Sequence, residues 1–314
     1  DLATLIYNKI VRNNKNVKFI DVTLRDGGFV NNWNSSYDDI IKYYNLMNNL
    51  DYEYFEIGYL INENIREKNS AICRNIPFDL FKNFPKKKCK ISVMIDFWKY
   101  NIENLIPYKD SNIDLIRITC YKEHILDCIE YSKKVKDLGY KISLNLIVIS
   151  YYEDDDLKKI IKIILDNNKL YDMICVADSF GNMDSKRTNL IFKTLLSYLN
   201  CLEINIGYHI HENIGNGFSN ALTAIESGID FIDTSLNGLG KGNGNLIMED
   251  LLTYLNCKNN KLISDEKIMI LLKFFENEKI NFNQVLNKLQ GIYNIHPNVF
   301  NKIKNNESIL ETFK

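Results

Sequence analysis

Two histidines stand two residues apart in GYHIHENIGNGFSNAL, residues 207–222, of a chain that holds only four. Side chains at i and i+2 of a strand share one face. His209 and His211 can therefore present both imidazoles to one point, at the end of the apolar run 203–211 and just before a glycine-rich turn. Two imidazoles and a carboxylate form a donor set for a divalent cation, and by softness alone Zn²⁺ or Fe²⁺ would suit it as well as harder ions. The carboxylate candidate is Asp26 in DVTLRDGG, next to Arg25. Strict alternation would put Arg25 and Asp26 on opposite faces. Both reach one site only if the strand is already breaking there, which Gly27 and Gly28 permit.

Other strand ends carry matching chemistry. Glu56 in YFEIGY is expected to end the second strand beside Arg25, where it can hold the guanidinium by a bidentate pair. Asp178 and Ser179 in VADSFGNM close the sixth. The loop NGLGKGNGN, 237–245, is similar to a phosphate-cradling turn, but no Ser or Thr follows Lys241, so it is not a P-loop. It also follows the last strand rather than the first, against a dinucleotide fingerprint. Its glycines, Gly240 and Gly242 among them, read as backbone that must approach a ligand closely, with Asn245 delivered beside the cation.

Eight strands are expected to position these groups: 17–23, 52–58, 90–96, 114–120, 141–149, 171–178, 203–211 and 229–235. Amphipathic helical patterns lie between them at 37–50, 122–138, 153–168, 184–200 and 216–227, with another at 246–256. Ser36 with Asp39 resembles a helix-start capping pair. Regular alternation implies a parallel sheet, and eight units favour closure into a (β/α)₈ TIM barrel. Active sites of such barrels lie at the C-terminal strand ends, and closure makes strand one a neighbour of strand eight, beside strand seven. Asp26 then faces the histidine pair across the mouth. The expected organisation is a catalytic barrel over 1–256 and a C-terminal helical extension over 257–314. Because the first residue is Asp1, the chain is expected to be a segment of a longer polypeptide.

Lys plus Arg total 39 against 40 for Asp plus Glu, so nothing favours a polyanionic partner such as nucleic acid. No apolar run approaches the roughly 18 residues that span a bilayer, and no basic-then-apolar leader is visible. Seven cysteines, an odd number with no Cys-x-x-Cys, fit reduced thiols in the cytoplasm.

Taken together, the Arg25–Asp26–Glu56 set, the His-x-His run and the glycine loop resemble the DRE-TIM metallolyase superfamily, over about residues 18–255. HIHENIGNGFSNALTAIESGIDFIDTSLNGLGKGNGN looks most like the pyruvate-dependent 4-hydroxy-2-oxoacid aldolases. The resemblance implies Mn²⁺ or Mg²⁺, with Co²⁺ and Zn²⁺ as alternatives, held by Asp26, His209 and His211 with Asn245 nearby. It implies a metal-bound enolate of a 2-oxoacid such as pyruvate, added to or released from an aldehyde, with Arg25 sharing the oxyanion. Asp178, Ser179, Gly240, Gly242 and Asn145 are the substrate-binding candidates. GIYNIHP is similar to a Gly-x-Tyr element of those aldolases, which makes Tyr293 a catalytic candidate closing over the site. The extension is expected to gate the mouth, form a homodimer or dock a fused or partner enzyme.

Three departures stand out. The hydroxy-acid aldolases place a basic histidine three residues past the aspartate, where this chain has Phe29 in RDGGFVNNW, an atypical branch of the pattern. Either the base is Tyr59, His124, Tyr293 or a water, or a different substrate is used. The strand-eight loop lacks the cysteine of the thioester lyases, and Gly28-Phe29 replaces the Glu-Gln of the synthases. A Claisen-type acyl-CoA condensing synthase, a barrel module without catalysis and, more remotely, an Fe²⁺ oxygenase are the alternatives to an aldolase.

Overall fold

The computed structural model describes residues 16–62, 71–82, 84–85, 88–256, 265–278, 287–288, 290–292 and 296–297. Its strands are β1 (Lys18–Asp21), β2 (Tyr54–Leu60), β3 (Lys90–Asp96), β4 (Leu115–Cys120), β5 (Lys141–Leu146), β6 (Met173–Asp178), β7 (Asn205–Ile210) and β8 (Phe231–Thr234). Each runs parallel to the next, and β8 pairs with β1 to close the barrel. The fold is a (β/α)₈ TIM barrel. The strands are buried on both faces because one side fills the barrel and the other meets helices; β2 and β4 are buried at every position.

By contact density the chain divides into two compact units, 1–246 and 247–314. The first holds α1 (Thr23–Asn31), α2 (Tyr37–Asn49), α3 (Phe78–Lys82), α4 (Ile125–Asp137), α5 (Asp154–Asp166), α6 (Ser185–Leu199) and α7 (Gly217–Ser227). The second holds α8 (Met248–Leu255) and α9 (Asp265–Glu278), and within it Lys288 Nζ pairs with Asp250 at 2.9 Å. α2 starts on a capping box, with Ser36 Oγ accepting the Asp39 amide at 3.1 Å and the Asp39 carboxylate accepting the Ser36 amide at 3.1 Å. On α5, Leu157, Ile160, Ile161 and Ile164 are buried at helical spacing. Among the described residues no helix is long and apolar enough to cross a membrane. The six described cysteines are unpaired, five of them buried.

The first βα junction differs from the expected one. β1 ends at Asp21, and Arg25 and Asp26 lie on the first turns of α1 rather than on a fraying strand. Asp21 Oδ1 accepts the amide and the hydroxyl of Thr23, which ties the strand end to the helix start. Nor do Gly27 and Gly28 serve to loosen the chain. A β-carbon at Gly28 would collide with the Trp33 indole, and one at Gly27 would press on Leu239. Close packing, not freedom, requires glycine here.

The barrel is filled in layers. Ile20, Val22, Tyr54, Leu115, Met173 and Phe231 form an apolar cluster at its N-terminal end. Above it, the Arg117 side chain of β4 reaches Glu56 on β2, Cys175 on β6 and Asp233 on β8. One side chain touches those three strands only by lying inside the barrel, so this second layer is polar and ionic.

Candidate metal centre

His209, on β7, and His211, just past its end, are both buried, with ring centroids 5.0 Å apart. An antiparallel bridge to Asn245 holds the backbone of His211. Asp26 arrives from α1, and one ligand atom from each of Asp26, His209 and His211 lies within 4.8 Å of the others. The Nδ1 of His209 is 2.9 Å from Asp233 Oδ2. A carboxylate behind one ring nitrogen selects the tautomer whose other nitrogen is free for a cation.

Asp26 and His211 are in the protonation states a cation needs. Burial, then neighbouring His209, pushes the His211 pKa down to about 4, with Asp26 opposing. Burial works against ionising Asp26, but Arg25, His209 and His211 outweigh it and hold that carboxyl down to about 2. At neutral pH the site therefore offers a carboxylate and a neutral His211.

Behind these donors runs a continuous chain of buried charges. The Asp26 carboxylate pairs with Arg25 Nη1, and Arg25 Nε pairs with Glu56. Glu56 also accepts Arg117 Nη1 at 2.7 Å, and Arg117 Nη2 reaches Asp233 Oδ2 at 2.7 Å. Asp233 returns the path to His209. Glu56 is thus not at a strand end but within β2, shared between two arginines. Both guanidiniums stay charged despite burial, because the carboxylates around them outweigh desolvation. Three carboxylates against two guanidiniums leave one excess negative charge beside the histidines, which a divalent cation turns into one positive charge.

Several buried polar atoms here have no partner among the described residues: Arg25 Nη2, His211 Nδ1 and Asn245 Oδ1. Leaving such a group unsatisfied costs about 1–3 kcal/mol. Their convergence on Asp26 and the histidines suits a cation and an anionic oxygen ligand, so the residues fit the group that the donor set implies.

The remaining candidates occupy mixed positions. Asn245 Nδ2 donates to Leu239 O at 3.1 Å, and its carboxamide also lowers Asp26. A β-carbon at Gly240 would overlap that carboxamide, and one at Gly242, where φ is +68°, would overlap Asn213 Oδ1. The close approaches at these glycines are to neighbouring side chains. Asp178 accepts the amides of Asn182 (3.3 Å) and Met183 (3.2 Å), and Ser179 Oγ accepts the Val148 amide at 3.0 Å, so both brace loops at the mouth. Burial raises the Asp178 pKa, which those amides oppose. Asn145 is buried beside Thr119 and Cys175 and accepts Ser143 Oγ at 2.8 Å. His124 lies near Asp127 at the start of α4. Phe29 is 42% exposed and meets Trp33 edge-on at 4.7 Å. Tyr293 lies outside the described residues.

Sequence reasoning passed over Arg117 and Asp233. The available signal was a charged residue inside an apolar strand, in DLIRITC and IDFIDTS, because such residues are almost never fully buried unless paired.

The HMGL-like family model matches residues 16–270. The chain belongs to the HMGL-like family. Among curated relatives, the 4-hydroxy-2-oxovalerate aldolase of Roseiflexus castenholzii is 30% identical over 127 residues, 40% of this chain and 36% of that protein. The 2-isopropylmalate synthase of Bacillus pumilus is 27% identical over 139 residues, 44% of this chain and 25% of that protein. The chain thus spans well under half the length of either of these curated relatives. Among solved structures, the N-terminal domain of a candidate aldolase from Bacteroides vulgatus is 29% identical with a TM-score of 0.65, over 87% of this chain and 97% of that one. An HMGL-like chain with this barrel sits among aldolases and synthases of the DRE-TIM superfamily.

Proposed function

We propose that this HMGL-like barrel is a divalent-metal-dependent carbon–carbon lyase of the aldolase type, acting on the enolate of a 2-oxoacid such as pyruvate and an aldehyde. The observation that carries the reading is the meeting of Asp26, His209 and His211, with Asp233 fixing one imidazole and an unpartnered Arg25 nitrogen beside them. Asp26, His209 and His211 would hold Mn²⁺ or Mg²⁺, with Asn245 close by. When bound, the ion supplies a Lewis acid that lowers the energy of negative charge on the substrate's keto oxygen.

The chain's own residues do the rest. Arg25 Nη2 is a fixed, permanently charged donor for the developing oxyanion, and its other nitrogens are locked by Glu56 and Asp26. Burial of the whole set excludes water, which strengthens each of these interactions. The alignment with the 2-isopropylmalate synthase supports a second reading, a Claisen condensation of an acyl-CoA.

Proton exchange at the pyruvate methyl group in D₂O, followed by NMR, tests the reading without knowledge of the aldehyde. Exchange is expected with added Mn²⁺ or Mg²⁺ and not after chelation. Absence of exchange with Mn²⁺, Mg²⁺ and Co²⁺ alike would sink it, and exchange that required an acyl-CoA would favour the synthase.

A further inference from the structure

Glu56 and Tyr59 are three residues apart on β2, so simple alternation would point them to opposite faces. The pairing with β3 shows otherwise. Glu56 is opposite Ser92, Gly58 opposite Val93 and Tyr59 opposite Met94, so Ile57 is an extra residue, a β-bulge. Beyond a bulge the alternation reverses and a side chain is re-aimed. Tyr59 therefore faces the lumen with Glu56, next to Met94, whose partner on β4 is Arg117.

The bulge is clamped from outside. The Tyr59 amide donates to Cys73 O at 2.9 Å and the Ile76 amide to Tyr59 O at 3.1 Å, while a β-carbon at Gly58 would collide with the Cys73 carbonyl. The phenol ring, 6% exposed, lies near two guanidiniums, with Arg25 Cζ 5.9 Å and Arg74 Cζ 5.6 Å from its centroid. Trp33 meets it edge-on at 6.2 Å, and the Trp33 Nε1–H donates to Arg25 O at 2.9 Å. Burial, aided by Asp26 and Asp96 and opposed by Arg25, keeps the hydroxyl protonated far above neutral pH. Phe29, at the rim, has no proton to offer.

Building on the aldolase reading, we propose that Tyr59 is the proton donor and acceptor for the aldehyde-derived oxygen, the task that Phe29 cannot perform. In the addition direction the enolate carbon bonds to the aldehyde carbon, the carbonyl π pair moves onto oxygen, and the Tyr59 proton passes to that oxygen. Water at the mouth reprotonates the phenolate, matching the proton lost from the methyl group of the 2-oxoacid. Nothing else is consumed, and cleavage is the reverse. The nearby guanidiniums stabilise the transient phenolate.

The test is Tyr59→Phe, which keeps the ring and removes only the oxygen. Three quantities are compared with the parent protein: Mn²⁺ affinity by calorimetry, pyruvate methyl exchange in D₂O, and condensation of pyruvate with acetaldehyde, propionaldehyde and glycolaldehyde. The expected result is affinity and exchange within about threefold of the parent and condensation lower by about 100-fold or more, the range for one acid–base group. Condensation within threefold of the parent overturns the role of Tyr59 alone. So does an equal fall in exchange and condensation, or a parent that exchanges but condenses none of the three aldehydes. A parent that exchanges no protons overturns the enolate reading itself, and this assignment with it.

Discussion

Tyr54, Leu115, Met173 and Phe231 line the lower end of the barrel; two residues further along the same strands stand Glu56, Arg117, Cys175 and Asp233. Apart from the Tyr54 hydroxyl, the lower set packs without directional demands and is satisfied by burial alone. In the upper set each group depends on the next, since a buried charge is tolerable only when paired and hydrogen-bonded. Barrel interiors are usually filled by branched aliphatic residues at every layer. An apolar second layer would close the barrel equally well, so the ionic one answers to another requirement: it fixes Arg25 at one end and His209 at the other. The contrast separates residues that hold the barrel shut from residues that aim the site.

Removing Arg117 strikes hardest at that contrast. Arg117→Met fills a similar volume but strands Glu56 and Asp233 without their shared partner. A destabilisation of about 3–5 kcal/mol is expected in urea unfolding, together with weaker Mn²⁺ binding by calorimetry, because Asp233 no longer holds a fixed position behind His209. Met173→Ala in the apolar layer should cost somewhat less, about 2–3 kcal/mol, and leave Mn²⁺ affinity within twofold. If the two substitutions moved Mn²⁺ affinity alike, the layers would not differ in the way described.

The alternation of strands and helices, the closure of the barrel and the capping box at Ser36 were all legible in the sequence, because each rests on local periodicity or a local pattern. So was the meeting of Asp26 with the histidine pair, which follows from strand order in a closed barrel. What was not legible depends on register. The α1 turn that carries Arg25 and Asp26 begins one residue after β1, inside a stretch whose glycines suggested a fraying strand. The bulge at Ile57 leaves no mark on the alternation of YFEIGYL, so Tyr59 stood as one of several candidates for the base, and its inward register with Glu56 could not be read. Arg117 and Asp233 lie 116 positions apart, and only the closed lumen brings them together.

Titration sharpens the comparison further, since the apolar layer has nothing to titrate in acid, whereas His211 at the site and Asp21 at the end of β1 are shifted in opposite directions over one pH window. In the metal-free protein His211 takes a proton only near pH 4, against 6.5 when unfolded. The unfolded chain therefore binds the extra proton first, and His211 removes stability as pH falls from 6.5 towards 4. Asp21 is reversed: burial, opposed by Thr23, raises its carboxyl from 3.8 to about 7. The stability it contributes is present at low pH and is lost as pH rises through that window. Each slope amounts to about 1.4 kcal/mol per pH unit, so the two largely cancel between pH 4 and 6.5. His211→Gln should uncover the Asp21 slope, with stability rising as the solution is acidified, and Asp21→Asn should uncover the opposite one. Urea midpoints in chelator at pH 4.5, 5.5 and 6.5 read both. Two variants with the same pH profile as the parent would show that neither group is perturbed by its setting. Added Mn²⁺ should turn the parent's nearly level profile into a loss of stability in acid, because ion and proton compete for His211.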